Sequence, residues 1–216
     1  MSLAYFAHPY LSNSALTAIK NELSGRDQYD ATEAWAMGSL VDAMLTQPEN
    51  VNYLTLRVKD RDYQYTKEQF AMARRMKQAA LDNGIIKSVM GMAKPQEAFY
   101  REKVHFNCDG MDIWYDCKCL VDWFIPNGNG GIDADLKTSA CTTREAFLDS
   151  IDRLDYDRAR VFYSKIIGNK RALLIGLPKK APHKPFTIEM REGDALWQRG
   201  EEKLNTLIKK KYLLGL

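Results

Sequence analysis

Apolar residues return every third or fourth position through much of the first 92 residues, a period that predicts helices. Ser12-Asn13-Ser14 supplies caps for a helix carrying Leu16, Ile19 and Leu23, ended by Gly25. Thr32 caps a second, from about Glu33 to Thr46, closed by Pro48. Thr66 opens a third with Phe70, Ala73, Met76, Ala80 and Leu81 at helical spacing, stopping near Asn83-Gly84. A short helical piece from Ile85 to Met92 precedes Pro95, and Met37 and Met44 read as core packing.

The middle of the chain changes period. Phe99 to Phe106, Ile113 to Ile125 and Ile132 to Lys137 are rich in aromatic and β-branched residues. They are separated by Asp109-Gly110 and by the turn Asn127-Gly128-Asn129-Gly130-Gly131, which predicts three strands. One long helix is expected from about Thr143 to Ile167, on Phe147, Leu148, Ile151, Leu154, Phe162 and Ile166. Two strands follow, Arg171 to Leu177 and Phe186 to Met190, and a last helix runs from Asp194 into a lysine-rich tail. The order predicts an α/β (α+β) fold with a central mixed β-sheet flanked by helices. One domain over residues 1–216 is expected, mainly helical over 1–95 and sheet-containing over 96–216.

Composition changes this picture little. At 216 residues, 45% hydrophobic and 27% charged, the chain is ordinary for a globular protein. No apolar run reaches the roughly 20 residues of a membrane span. Met1-Ser2-Leu3-Ala4 leads into polar sequence, so no secretory leader and a cytoplasmic setting are expected. The net charge of +3 is too small to argue for nucleic acid, although Arg74-Arg75, Lys179-Lys180 and Lys209-Lys210-Lys211 form local clusters. Cys117-Lys118-Cys119 lacks the spacer of a zinc or redox pair. Alternation puts both thiols on one face with Val121, Trp123 and Ile125, as small buried hydrophobes. His8, His105 and His183 are scattered and suggest no metal site or triad.

The same alternation sorts the polar residues. Lys118, Leu120, Asp122 and Phe124 share the other face of their strand, and Asp133, Asp135 and Lys137 share one face of the next. If the Gly-rich turn makes these strands antiparallel neighbours, Asp122 and Asp135 converge. Two clustered carboxylates repel unless a cation lies between them, and oxygen donors favour Mg²⁺ or Mn²⁺ over zinc. Such an ion polarises a scissile phosphate, while Lys137 orients or helps deprotonate water and offsets phosphate charge. The plain alternative is a surface ion pair between Asp135 and Lys137, worth about 0–1 kcal/mol.

Four stretches extend the pattern: Leu11-Ser12-Asn13-Ser14-Ala15-Leu16; Ala36 to Pro48, with Gly38 and Asp42; Cys117 to Asp122; and Ile132 to Thr138. With Tyr156-Asp157-Arg158-Ala159-Arg160-Val161-Phe162-Tyr163, they resemble the PD-(D/E)XK nuclease superfamily. Within it the chain is similar to the exodeoxyribonuclease VIII (RecE-type) and phage-exonuclease branch. The resemblance implies a restriction-endonuclease-like core and a metal-dependent DNA exonuclease. Asp122 and Asp135 would be metal ligands, with the carbonyl of Leu136 as another, and Lys137 would be catalytic. Two positions depart from the family pattern. Asp42 stands where a histidine usually serves the metal site, and Ala159 where a glutamine is usual, although Tyr163 is retained.

Gly38, one turn before Asp42, is expected to let its helix approach the sheet closely. Glu97, just after Pro95, is the preferred first-strand acid, with Glu102 the other candidate. Arg160 is a candidate phosphate contact, as are Ser12 and Ser14, which capping explains equally well. The resemblance therefore implies hydrolysis at the ends of linear double-stranded DNA, in phage or mobile-element recombination. By analogy, a homo-oligomer and a single-strand annealing partner are expected. A DNA-binding module that has kept the fold and lost catalysis is the alternative that Asp42 and Ala159 favour. A hydrolase of other phosphate esters is a third.

Overall fold

The computed structural model describes residues 3–25, 32–51, 55–58, 61–128 and 130–216. Met1, Ser2 and Asn129 of the expected turn lie outside the described residues. The chain is a mixed α/β fold: a five-stranded sheet, in the order β3-β4-β5-β6-β7, with helices on both faces. Its strands are β3 (Lys94–Cys108), β4 (Met111–Ile125), β5 (Ile132–Ser139), β6 (Arg171–Pro178) and β7 (Phe186–Arg191). Neighbouring strands are antiparallel except β5 and β6, which are parallel. A parallel step needs a crossover, and α6 (Arg144–Arg153) and α7 (Tyr156–Ile167) provide it.

Local chemistry accounts for the helices. Ser12 accepts a bond from Ala15 N–H at the start of α2 (Asn13–Leu23). Thr66 and Gln69 form a reciprocal capping box on α4 (Lys67–Asp82). Asn83 caps α5 (Gly84–Met92), and Asp194 caps α8 (Ala195–Leu214). A five-residue helix, α1 (Leu3–Ala7), and the hairpin of β1 (Thr55–Val58) and β2 (Arg61–Gln64) were not expected. Such short pieces give a period too few repeats to register. α3 (Thr32–Thr46) includes the expected cap, Thr32, as its first residue.

Two cores lie on either side of the sheet. α2, α6, α7 and α8 pack on Cys117, Cys119, Val121, Leu174 and Ile188. α3, α4 and α5 pack on Trp123, Ala134, Leu136, Ile175 and Leu177. Val121 and Trp123 therefore serve different cores although they are two residues apart. The expectation that 117, 119, 121, 123 and 125 share one face is corrected here. The β3–β4 register passes from Pro95↔Trp123 to Glu97↔Val121, and the skipped Gln96 has φ of 54°. That left-handed residue, opposite Asp122, marks where the inward side changes. A second irregularity falls between Arg101 and Val104, where Lys103 has φ of 50° and donates its N–H to Asp116 Oδ1 at 2.9 Å.

The single helix expected over 143–167 is two. Asp155 takes φ of 56° between α6 and α7, a conformation that Asp tolerates better than most residues. Its buried carboxylate pairs with Lys20 and lies 3.6 Å from Lys203 Nζ. In the β4–β5 connection, Gly131 has φ of +85°, and a Cβ there would lie 2.4 Å from the Phe124 ring. Only glycine fits. Cys108, Cys117 and Cys119 are buried and unpaired, as small apolar side chains would be. No helix among the described residues is long and apolar enough to cross a membrane.

Candidate active site

Strands β4 and β5 stay paired only at Trp123↔Ala134, Phe124↔Asp133 and Ile125↔Ile132. One step further they part, at Asp122 on one strand and Asp135 on the other. The Asp122 carboxylate enters the gap and accepts the Leu136 N–H at 3.0 Å, replacing the lost strand partner. From the other side, Gln96 Nε2 donates to Asp42 Oδ2 at 3.1 Å, which ties α3 to the same place. The split thus gathers Asp42, Gln96, Asp122, Asp135 and Lys137 from four elements.

Charge is arranged in two tiers. Behind the gap, fully buried Arg160 of α7 bridges Asp133 Oδ2 at 2.6 Å and Asp135 Oδ1 at 2.9 Å. Asn169 Nδ2 holds the other oxygen of Asp133 at 2.8 Å, and the Arg160 guanidinium lies 4.2 Å from the Tyr163 ring centre. In front, Lys137 Nζ is 2.6 Å from Asp135 Oδ2 and 5.3 Å from the Tyr156 ring centre. Burial opposes ionisation of Asp135, but Arg160 and Lys137 outweigh it and hold the carboxyl below its usual range. Burial and the charge of Asp135 push Asp122 up to about 6. Burial and then Asp122 push Asp42 up to about 8. For Lys137, burial favours the neutral amine, yet Asp135 and Asp122 prevail and raise its pKa. Lys137 is therefore a firm cation, suited to offsetting negative charge and orienting water rather than to taking a proton from it.

The other expected residues fall as follows. Ser12 is the cap of α2 and lies 2.9 Å from the Ser14 hydroxyl, so both are engaged locally. Glu97 stands opposite Val121 rather than Asp122, and the residue facing Asp122 is Gln96. Glu102 accepts a bond from the Tyr10 hydroxyl at 3.0 Å and is exposed. Arg160, expected at a phosphate, has both terminal nitrogens on carboxylates, and its side chain is 2% exposed. Leu136 joins the site through its amide. Lys118, grouped by alternation with Asp122, instead donates to the carbonyls of Tyr5, at 2.7 Å, and His8. A Cβ at Gly38 would sit 3.5 Å from Thr138 Oγ1, an ordinary contact, so close approach does not require glycine there. Sequence reasoning missed Gln96 and Asn169. Gln96 carried one signal, its place beside Pro95 at the level of Asp122.

The donor set suits a hard divalent cation. Asp42 Oδ1 and Gln96 Oε1 are buried with no hydrogen-bond partner among the described residues, and the surrounding donors are oxygens. Among the described residues, no three His, Cys, Asp or Glu side chains are already gathered at ligating distance. Asp135 is closed on Lys137 instead.

No protein-family model matches the chain, and no curated protein matches it. Among solved structures, a protein of Eubacterium rectale named as a candidate exonuclease aligns with a TM-score of 0.65. The alignment spans 100% of this chain and 87% of that one, at 17% identity, and shows a common fold. A phage-related exonuclease of Haemophilus somnus is also similar, with a TM-score of 0.46 and 14% identity over 99% of both chains.

Proposed function

We propose that the chain is a metal-dependent deoxyribonuclease that hydrolyses phosphodiester bonds at the ends of linear DNA, in phage or mobile-element recombination. The observation that carries this reading is the convergence of Asp42, Asp122, Asp135 and Lys137 where β4 and β5 separate. The fold shared with the Eubacterium rectale protein, itself named for exonuclease activity, agrees with it. Asp42, Asp122 and Asp135, with the Leu136 carbonyl, would hold Mg²⁺ or Mn²⁺. Such a cation supplies, when bound, polarisation of the phosphate and a lowered pKa for an attacking water. Lys137 offsets charge on the phosphate and orients that water. Arg160 holds Asp135 Oδ1 and the Leu136 amide holds Asp122 Oδ2, which restricts both carboxylates, while ligation by Asp135 would require its Oδ2 to part from Lys137.

End-labelled linear DNA and closed circular DNA, incubated with Mn²⁺, test the reading. Nucleotide release from the linear substrate is expected with wild type and not with Asp122→Ala or Lys137→Ala. Equal digestion by wild type and Asp122→Ala would overturn it. A second reading, DNA binding without cleavage, is favoured by one arrangement: Lys137 and Arg160 both engage Asp135. Salt-sensitive DNA binding with intact substrate in Mg²⁺ and in Mn²⁺ would support that alternative.

A further inference from the structure

Asn169 carries an acceptor that no described residue satisfies. Its Nδ2 donates to Asp133 Oδ1 at 2.8 Å and to the Arg171 carbonyl at 2.7 Å. Two acceptors at one end fix that end of the amide as the nitrogen, so the other end is the carbonyl oxygen. That oxygen is buried with no hydrogen-bond partner among the described residues, in a residue 4% exposed. Ser164 Oγ, near the end of α7, is in the same condition in a residue 3% exposed. Burying polar oxygens without partners is costly.

Both residues line a cavity of about 430 Å³ between the end of α7, the start of α8 and Arg101 of β3. This volume falls within the roughly 300–1,000 Å³ of pockets for small organic ligands. Val161 and Trp197, both buried, give it an apolar wall. Its charges do not balance. Lys165 pairs with Glu201 at 3.1 Å and Lys170 with Glu192 at 2.7 Å. Arg101 has the Lys165 carbonyl, at 3.0 Å, and no carboxylate. Asp42, Gln96, Asp122, Asp135 and Lys137 take no part in this lining. The 12 residues of α7 rise roughly 18 Å, and the cavity lies at the opposite end from Tyr156, beside which Lys137 stands.

The occupant that complements this lining has one anionic group, an apolar plane and an edge bearing an N–H donor. We propose that the cavity binds a nucleoside monophosphate, with its phosphate on Arg101 and its base on the Trp197 wall, donating an N–H to Asn169 Oδ1. All four bases carry an N–H donor on their pairing edge. Ser164 Oγ, able to donate or accept, serves a second atom of that edge. The planar fork of Arg101 matches two phosphate oxygens at once. The inference rests on the nuclease reading, which makes such a nucleotide a product of the reaction.

Calorimetric titration in EDTA tests this with thymidine 5′-monophosphate, thymidine and inorganic phosphate. Saturable binding is expected for the monophosphate, about tenfold weaker binding for thymidine, and none for phosphate. Arg101→Met should weaken the monophosphate about tenfold and leave thymidine unchanged. Ser164→Ala should weaken both about fivefold, while its thermal midpoint stays at or above that of wild type because an unpaired group is removed. Tryptophan fluorescence should change on binding, and the change should vanish in Trp197→Phe. No saturable binding, equal affinity for inorganic phosphate, or unchanged affinity in both Arg101→Met and Ser164→Ala would overturn the proposal. Loss of binding in Lys137→Met would also overturn it, since the nucleotide would then sit in the candidate active site. Neither metal nor cleavage enters the titration, so binding by a protein that never cleaves DNA would remove the nuclease reading and leave this cavity a nucleotide site. Cleavage without such binding would do the reverse.

Discussion

Asp122 does two separable things: it accepts the Leu136 N–H, and it adds negative charge beside Asp135. Asp122→Asn keeps an acceptor and removes the repulsion, whereas Asp122→Ala strands the Leu136 donor at a cost of about 1–3 kcal/mol. Urea denaturation should show Asp122→Ala less stable than wild type and Asp122→Asn at least as stable, although both lose cleavage. Asp42 yields a test in pH. Its folded-state pKa is raised from 3.8 to about 8, so between those values the folded chain keeps a proton that unfolding releases. Stability must then fall as pH rises from about 4 towards 8 when no divalent cation is present. The urea midpoint should follow that slope in EDTA, flatten in Asp42→Asn, and recover when Mn²⁺ takes the place of the proton. A slope unchanged in Asp42→Asn would remove this residue from the argument.

Among the elements, the helix contacts separate two glycines that look alike in sequence. A Cβ on Gly200 of α8 would lie 2.7 Å from the backbone of Asp157 in α7, while one on Gly38 of α3 meets only Thr138 Oγ1 at 3.5 Å. Gly200→Ala should therefore destabilise by about 1–3 kcal/mol through overpacking. Gly38→Ala should be neutral or stabilising by up to about 1 kcal/mol through helix propensity. Thermal melts of the two variants check the contrast. Sequence revealed most helices because their signals are local: Ser12, Thr66 with Gln69, and Asp194 all cap where their types suggest. The break at Asp155 was hidden because the apolar period runs through it, with Ile151 and Leu154 in step, and only a backbone angle separates α6 from α7. Alternation failed at Asp122 for a similar reason. The side change depends on the φ of Gln96, which no pattern of side chains encodes.

At the level of the whole molecule, one sheet is shared by two cores, with Trp197 in the first and Trp123 in the second. Neither helical layer can leave without exposing strands the other layer needs, so one cooperative transition is expected. Tryptophan fluorescence and far-ultraviolet circular dichroism should give coincident denaturation curves, and separated midpoints would show that the layers unfold independently. The acidic pair and its lysine were legible because strand alternation and one turn bring them together. Asp42 was legible only through the family pattern, and its meeting with Gln96 depends on how α3 docks on the sheet. The bulge at Lys103 has a consequence for solubility. Among the described residues β3 pairs only with β4, so a 15-residue strand forms one border of the sheet. Lys103 and Gln96, both left-handed, interrupt that border twice and deny a neighbouring molecule a straight template for amyloid-like growth.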